Sequence, residues 1–398
     1  MRRTSLVLAV LLSTSLAGCY VFRGTAPILD YASREGPGSR PGGLGDRDSV
    51  RYVIHISVDG LRPDAVERLG FDTVPAFTRL RDRGAWTHNA RTDRDYRITL
   101  PNHTTQLTGY PVVGPDGHHW TVNVDPAPGV TIHSNRGAYI PSVFDVAHDH
   151  GLRTAAYVSK SKFSLFRTSY GPQHGAPDTT GVDDGRNKID TFVYQPDTDT
   201  LVDRLLTDLA DDPAAYTFLH IRDPDARGHI MTWSMKRGSP YLRAVEHSDM
   251  LIGRILALVD SDERLAGRTA IIVTADHGGS GRHHARDRRT HYTVPFYVWS
   301  PGVPRADLYA LNEGLRVDPG TGHIPYDAEL QPIRNGDAAN LALAFLGLPP
   351  VPGSTIGAAV PLRVRPDVPV TVDPTGAPAG TPTEAPRDTV GTDGPGSR

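Results

Sequence analysis

"TAIIVTADHGG", residues 269–279, joins an unbroken apolar run to an Asp, a His and two glycines. The run is short, rich in β-branched residues and apolar at every position, so it reads as a strand buried on both faces. A polar turn directly after such a strand lies at its carboxyl end, the edge at which open α/β sheets bind ligands. Within residues 274–284, "TADHGGSGRHH", one Asp and three His gather beside three glycines. That density of imidazole and carboxylate calls for a chemical reason.

Working outward, "YVIHISVDG" (52–60), "TAAYVS" (154–159), "YTFLHI" (216–221) and "VPFYVWS" (294–300) read as further buried strands. Helices are predicted over 74–84, 199–210, 241–260 and 337–348. In the third of these Leu242, Val245, Ile252, Ile255 and Val259 recur at helical spacing, and Gly347 marks the end of the fourth. The alternation predicts an α/β fold: a central, mostly parallel sheet with helices on both faces and a metal site at the carboxyl ends of the strands.

The acidic residues follow that plan. Asp59 comes after "VIHISV", Asp223 and Asp225 after "YTFLHI", and Asp276 with His277 after "AIIVTA". Three strands thus deliver carboxylates to one edge, where they are costly unless something positive sits among them. Asp59 alone reads equally well as a helix cap. Asp225 and His229 stand at i and i+4 and reach a common point from one helical turn. Mixed Asp and His donors without Cys suit zinc or manganese better than magnesium or calcium.

A further element is "RITLPNHTTQLTG", residues 97–109. Pro101 suits the first turn of a helix and Gly109 its end, which places Thr99 and Leu100 at an N-terminus that attracts anions.

The 398 residues carry a formal charge of −3 without long blocks of one sign, so no nucleic-acid partner is expected. Cys19 is the only cysteine, which excludes an internal disulfide, a thiolate metal site and a Cys nucleophile in the mature domain. "MRRTSLVLAVLLSTSLAGC" has a basic start, an apolar stretch too short to span a bilayer, and small residues at its end. Its "LAGC" resembles a bacterial lipobox. We therefore expect a signal peptide over 1–18, lipid on Cys19, and an exported protein anchored to a bacterial membrane, facing the periplasm or exterior. A flexible tether is expected over 19–49, a catalytic domain over 50–365 and a disordered tail over 366–398.

"SVDGLRPD" (57–64), "TLPNHTTQLTG" (99–109), "DPDARGH" (223–229) and "ADHGG" (275–279) stand in the order and approximate spacing of the alkaline phosphatase superfamily. The chain most resembles its type I phosphodiesterase/nucleotide pyrophosphatase branch, from about 52 to 350, and "VPFYVWSPGV" is similar to the strand after the last ligand.

The resemblance implies two zinc ions, with manganese as the substitute. Asp59, Thr99, Asp276 and His277 match the residues around one ion, with Thr99 as the nucleophile that forms a covalent phosphothreonine. Asp225 and His229 match two ligands of the other. Its third ligand is His283, His284 or His291; His284 is favoured, because related sequences look like "GxxHxD" followed by "NYTVPF", which puts His291 at the Asn. The stretch "ARDRRT" between them departs from that pattern. Asn123, in "HHWTVNVDP", matches a phosphate-contacting Asn at slightly long spacing.

The implied activity is hydrolysis of a small phosphate ester, either a diester or a monoester. A monoesterase profits from an added cation near the nonbridging oxygens, for which Arg97, Lys160 and Lys162 are candidates. Segments 110–150 and 170–195 are expected to shape the substrate pocket. A phosphonate hydrolase of the same superfamily, or a non-catalytic lipid-anchored binding protein that keeps the metal, are the alternatives. A sulfatase using a Cys-derived nucleophile is excluded by the absence of Cys from the domain, and the phosphoglycerate mutase relatives use Ser and are cytosolic.

Overall fold

A computed structural model describes residues 50–365 together with the backbone of Leu29–Asp30. The expected signal peptide, Cys19, most of the tether and the tail from 366 lie outside the described residues.

Nine strands form one sheet: β1 (Leu29–Asp30), β2 (Tyr52–Val58), β3 (Ala85–Arg91), β4 (Thr154–Val158), β5 (Thr191–Tyr194), β6 (Tyr216–Ile221), β7 (Thr269–Thr274), β8 (Thr293–Trp299) and β9 (Ala306–Asp307). Their order is β1-β5-β4-β6-β2-β7-β8-β3-β9. The five strands from β5 to β7 are parallel, and β8 and β1 flank them in antiparallel pairing. The sheet is therefore mostly parallel, as the apolar runs require. Every residue of β4, β6 and β7 is buried, which is possible only where both faces of a sheet are covered.

The helices start where the sequence provides caps. Ser239 accepts from Leu242 N–H at the head of the helix Pro240–Ser261, and Asp197 accepts from Thr200 N–H ahead of Thr198–Asp211. Leu242, Val245, Ile252, Ile255 and Val259 are all buried, so the apolar stripe read from the sequence is the packed face. The helix read over 74–84 spans Pro75–Asp82, and that over 337–348 stops at Phe345, two residues before Gly347 with its φ of +69°.

Strands β3, β5 and β9 are not anticipated by the sequence. In β3, "AWTHNAR" places His88 and Asn89 where an apolar run would continue, and the pairing with β8 slips between Thr87 and Ala90. Local pattern fails there because the polar pair sits at an irregularity in the ladder. Leu29–Asp30, inside the stretch read as a tether, pairs antiparallel with Val193 and Tyr194 at the sheet edge. No helix among the described residues is long and apolar enough to cross a membrane.

Parallel register delivers the site. Val58 stands opposite Ile221 and Ser57 opposite Thr274, so β6, β2 and β7 end level with one another. The residues that follow, Asp225, Asp59 and Asp276, therefore emerge at one edge.

Candidate active site and metal centre

Asp59, Asp225, Asp276 and His277 converge in a fully enclosed cluster, each at most 3% exposed. Backbone contacts hold the turns together: Asp59 N–H donates to Ile221 C=O at 2.9 Å, and Asp225 N–H donates to Asp59 C=O at 3.0 Å. Asp276 Oδ1 accepts from Gly60 N–H at 3.1 Å and from His277 N–H at 2.9 Å. One oxygen of Asp276 is thereby committed to backbone, and the other faces inward.

The inward atoms are the telling ones. Asp59 Oδ1, Asp225 Oδ1, Asp276 Oδ2 and His277 Nε2 are all buried and make no hydrogen bond. Buried polar atoms are almost always satisfied, and four orphans on adjoining residues, all of them lone-pair donors, fit divalent cations. Within this cluster two donor sets are close enough to hold an ion, Asp59–Asp276–His277 and Asp225–His277–His284, with His277 common to both. The donors are carboxylate oxygen and imidazole nitrogen.

The electrostatics point the same way. Burial, then the charge of Asp59, pushes the Asp276 carboxyl well above its ordinary range. Burial alone would raise Asp59 too, but the Lys160 ammonium and a hydrogen bond from His220 override it and hold this group well below the usual carboxylate range. Burial and the charge of Asp59 likewise act upward on Asp225, and Lys160 with His229 carries it below its ordinary value. One lysine does not neutralise three carboxylates, so the cluster as built accepts more positive charge.

His229 and His284 face each other, their Nε2 atoms 3.1 Å apart, and His229 Nε2 lies 3.3 Å from Asp225 Oδ1. His284 Nδ1 is 2.6 Å from Arg97 C=O, an orientation that leaves Nε2 directed at the cluster. Burial, then His277, lowers His284 to about 3, which keeps it neutral and able to donate its lone pair. The two competing histidines are elsewhere: His283 is exposed, and both ring nitrogens of His291 are taken, by Ser280 Oγ at 2.7 Å and Arg286 N–H at 3.2 Å.

Thr99 is the first residue of the helix Thr99–Thr108, which ends at Gly109 in the left-handed conformation. It opens onto a cavity of about 400 Å³ shared with Asn123, Lys160, Lys162, Asp225, His229 and His284. Leu100 N–H, expected to be free for an anion, instead donates to Asn123 Oδ1 at 3.0 Å. This fixes the Asn123 side chain and leaves its amide NH₂ as the available donor. Of the candidate cations, Lys160 and Lys162 line the cavity; Arg97 does not, and its Nη2 donates to Ala285 C=O. Asn123 and Tyr194 come from the two segments expected to shape the pocket, and Ser161, Arg222 and Ile230 were not foreseen as lining residues.

Sequence reasoning also missed a layer of support. His220 is the penultimate residue of β6; its Nε2 is 2.9 Å from Asp59 Oδ2, and its Nδ1 is 2.9 Å from Ser159 Oγ. Ser57 Oγ is 2.8 Å from His103 Nε2, and His103 Nδ1 bonds Thr99 C=O at 2.8 Å. Polar residues inside otherwise apolar strands, Ser57 in "VIHISV" and His220 in "YTFLHI", were the available signal.

A mostly parallel α/β sheet with an Asp and His centre at its carboxyl edge is the architecture of alkaline phosphatase-like hydrolases. The family model for type I phosphodiesterase / nucleotide pyrophosphatase matches residues 53–290, and the chain belongs to that family of phosphoric ester hydrolases in the alkaline phosphatase superfamily.

Among solved structures, the chain is similar to murine ectonucleotide pyrophosphatase/phosphodiesterase 5, an inactive variant in complex with AMP, at 13% identity over 75% of this chain and 95% of that one, with a TM-score of 0.49. The human counterpart gives 12% identity over 76% and 96% of the two chains, with a TM-score of 0.48. A putative sulfatase from Bacteroides fragilis gives 13% identity over 77% and 76%, with a TM-score of 0.46. No curated protein matches the sequence.

Proposed function

We propose that the protein hydrolyses small phosphate esters by a two-step displacement with Thr99 as nucleophile and a covalent phosphothreonine between the steps. The observation that carries this reading is the set of four orphaned buried donor atoms on Asp59, Asp225, Asp276 and His277, beside a cavity onto which Thr99 opens. Asp59, Asp276 and His277, with Thr99, would hold one zinc or manganese ion, and Asp225, His229 and His284 the other. When bound, such ions favour an ionised hydroxyl and stabilise charge on the leaving oxygen.

The residues of the chain do the rest. Thr99 Oγ1 forms a bond to phosphorus as the bond from phosphorus to the leaving alkoxide breaks. The Asn123 amide, braced by Leu100 N–H, donates to a nonbridging oxygen. Water then attacks phosphorus from the opposite side, the phosphothreonine bond breaks, and Thr99 is restored. Lys162 Nζ donates to Asn123 C=O at 2.9 Å and has no carboxylate partner among the described residues, which favours a phosphoryl group of higher negative charge. Monoesters and phosphonates have that property.

Upstream of this domain, we infer export and lipidation at Cys19 from the "LAGC" motif, which would place the cavity outside the cytoplasm.

The test is hydrolysis of p-nitrophenyl phosphate and bis-p-nitrophenyl phosphate by purified protein, before and after chelation, with metal content measured in parallel. About two zinc ions and chelator-sensitive turnover are expected. Turnover that survives complete metal removal would overturn the reading.

A further inference from the structure

Lys160 follows β4, on the far side of β6 from β2, and its ammonium reaches across to two carboxylates at once. Lys160 Nζ lies 2.6 Å from Asp59 Oδ2 and 2.6 Å from Asp225 Oδ2. These two residues belong to different donor sets, Asp59 to the one with Asp276 and Asp225 to the one with His284. On both, the other oxygen, Oδ1, is the orphaned one. The division of labour is the same on each carboxylate: the outer oxygen takes the lysine and the inner oxygen faces the place for an ion.

We propose that Lys160 is a positioning residue for a two-cation centre, clamping one carboxylate of each donor set by its outer oxygen so that the inner oxygens converge at fixed separation. The proposal rests on the two-cation reading given above. A carboxylate free to rotate can chelate with both oxygens or turn away; tying one oxygen removes those alternatives. Asp59 is tied twice, since His220 Nε2 shares its Oδ2 at 2.9 Å. Asp225 Oδ2 has no second hydrogen bond among the described residues, and the other contact of this carboxylate is the longer one of Oδ1 with His229 Nε2 at 3.3 Å, so Lys160 governs it more strongly. Groups that orient metal ligands in this way are worth roughly 10–100-fold in metal affinity.

A rival role is that of a stand-in cation, filling the centre until metal displaces it. Such a lysine would bond the oxygens that the ions require. Lys160 bonds the opposite ones, and its side chain is 13% exposed where Asp59 is fully enclosed, so it approaches from the cavity side and not from within the cluster.

The experiment is a competitive zinc titration of the full chain against a chromophoric chelator at neutral pH. It compares wild type with Lys160→Met, Lys160→Gln and Lys162→Met, each held well below its measured melting temperature. Wild type should take up two ions. Lys160→Met should bind at least one of them about 10–100-fold more weakly. Lys160→Gln, which keeps a donor, should recover part of the loss, and Lys162→Met, at a residue of the same cavity that bonds Asn123 C=O, should show no loss of zinc affinity. Should Lys160→Met fail to fold, Lys160→Gln against wild type decides the question. Unchanged zinc affinity in the Lys160 variants, or tighter binding, would overturn the clamp while leaving the two-cation reading intact. A wild-type protein that takes up no zinc would overturn both.

Discussion

Gly60 and Asp225 pack so closely that a Cβ on Gly60 would stand 2.9 Å from Asp225 Cα. Gly60 also has a φ of +74°, a conformation that side chains disfavour. The turn after β2 and the helix after β6 are in contact because this position carries no side chain, and the contact places Asp59 beside Asp225. Gly60→Ala should destabilise the protein by about 1–3 kcal/mol and lower its zinc content, through strain and displacement of Asp225. Denaturant unfolding and metal analysis check this, and wild-type values for both would show that the contact is dispensable.

Thr99→Ala removes a hydroxyl and one methyl group from the cavity wall and leaves the backbone unconstrained, so the fold should persist. Turnover should fall by several orders of magnitude, and no phosphoenzyme should be trapped in acid-quenched reactions with labelled substrate. Normal turnover by this variant would remove the nucleophile assignment.

Asp276→Asn keeps an oxygen for the N–H groups of Gly60 and His277 while deleting a charge from a cluster where burial and Asp59 disfavour it. The metal-free variant should melt at or above the wild-type temperature, whereas zinc content and turnover should collapse. A variant that is less stable without metal, yet fully loaded and active with it, would contradict the electrostatic account.

Three alanine variants separate the histidines. His284→Ala should lose close to one zinc ion per chain. His283→Ala should lose none, since that residue is exposed, and His291→Ala should lose stability before metal, because its ring bridges Ser280 and Arg286. Loss of zinc in His283→Ala with full retention in His284→Ala would reverse the assignment.

Asp249 offers a test away from the centre. It is 2% exposed, accepts N–H groups from Phe77 at 2.7 Å and Ala76 at 3.2 Å, and burial raises it from 3.8 to about 6. The folded state binds this proton more tightly than the unfolded chain. Its stabilising contribution is therefore complete below the unfolded value and is lost as pH rises through about 6. Asp249→Asn cannot titrate, so its stability relative to wild type should increase between about pH 4 and 7 by on the order of 2 kcal/mol. Urea unfolding of the metal-free proteins across that range measures it. Parallel pH profiles would show that Asp249 stays ionised throughout.

The sequence by itself determined the strands β2, β4, β6, β7 and β8, the parallel α/β plan, and the edge at which Asp59, Asp225 and Asp276 gather. Continuous apolar runs ending in acidic turns are local features, and a parallel sheet leaves little choice about where its carboxyl ends lie. The pairing of Asp225 with His229 was equally legible, because one helical turn joins them. Only the tertiary structure separates His283, His284 and His291 in space, setting His284 beside Asp225 and His277, leaving His283 exposed and bonding both ring nitrogens of His291 elsewhere. It also sets Lys160, one of the candidate substrate cations of the sequence, between Asp59 and Asp225, residues 101 and 65 positions away along the chain. His220 stayed hidden for the same reason. A hydrogen bond across a sheet depends on strand order and register, and neither is written within any one strand.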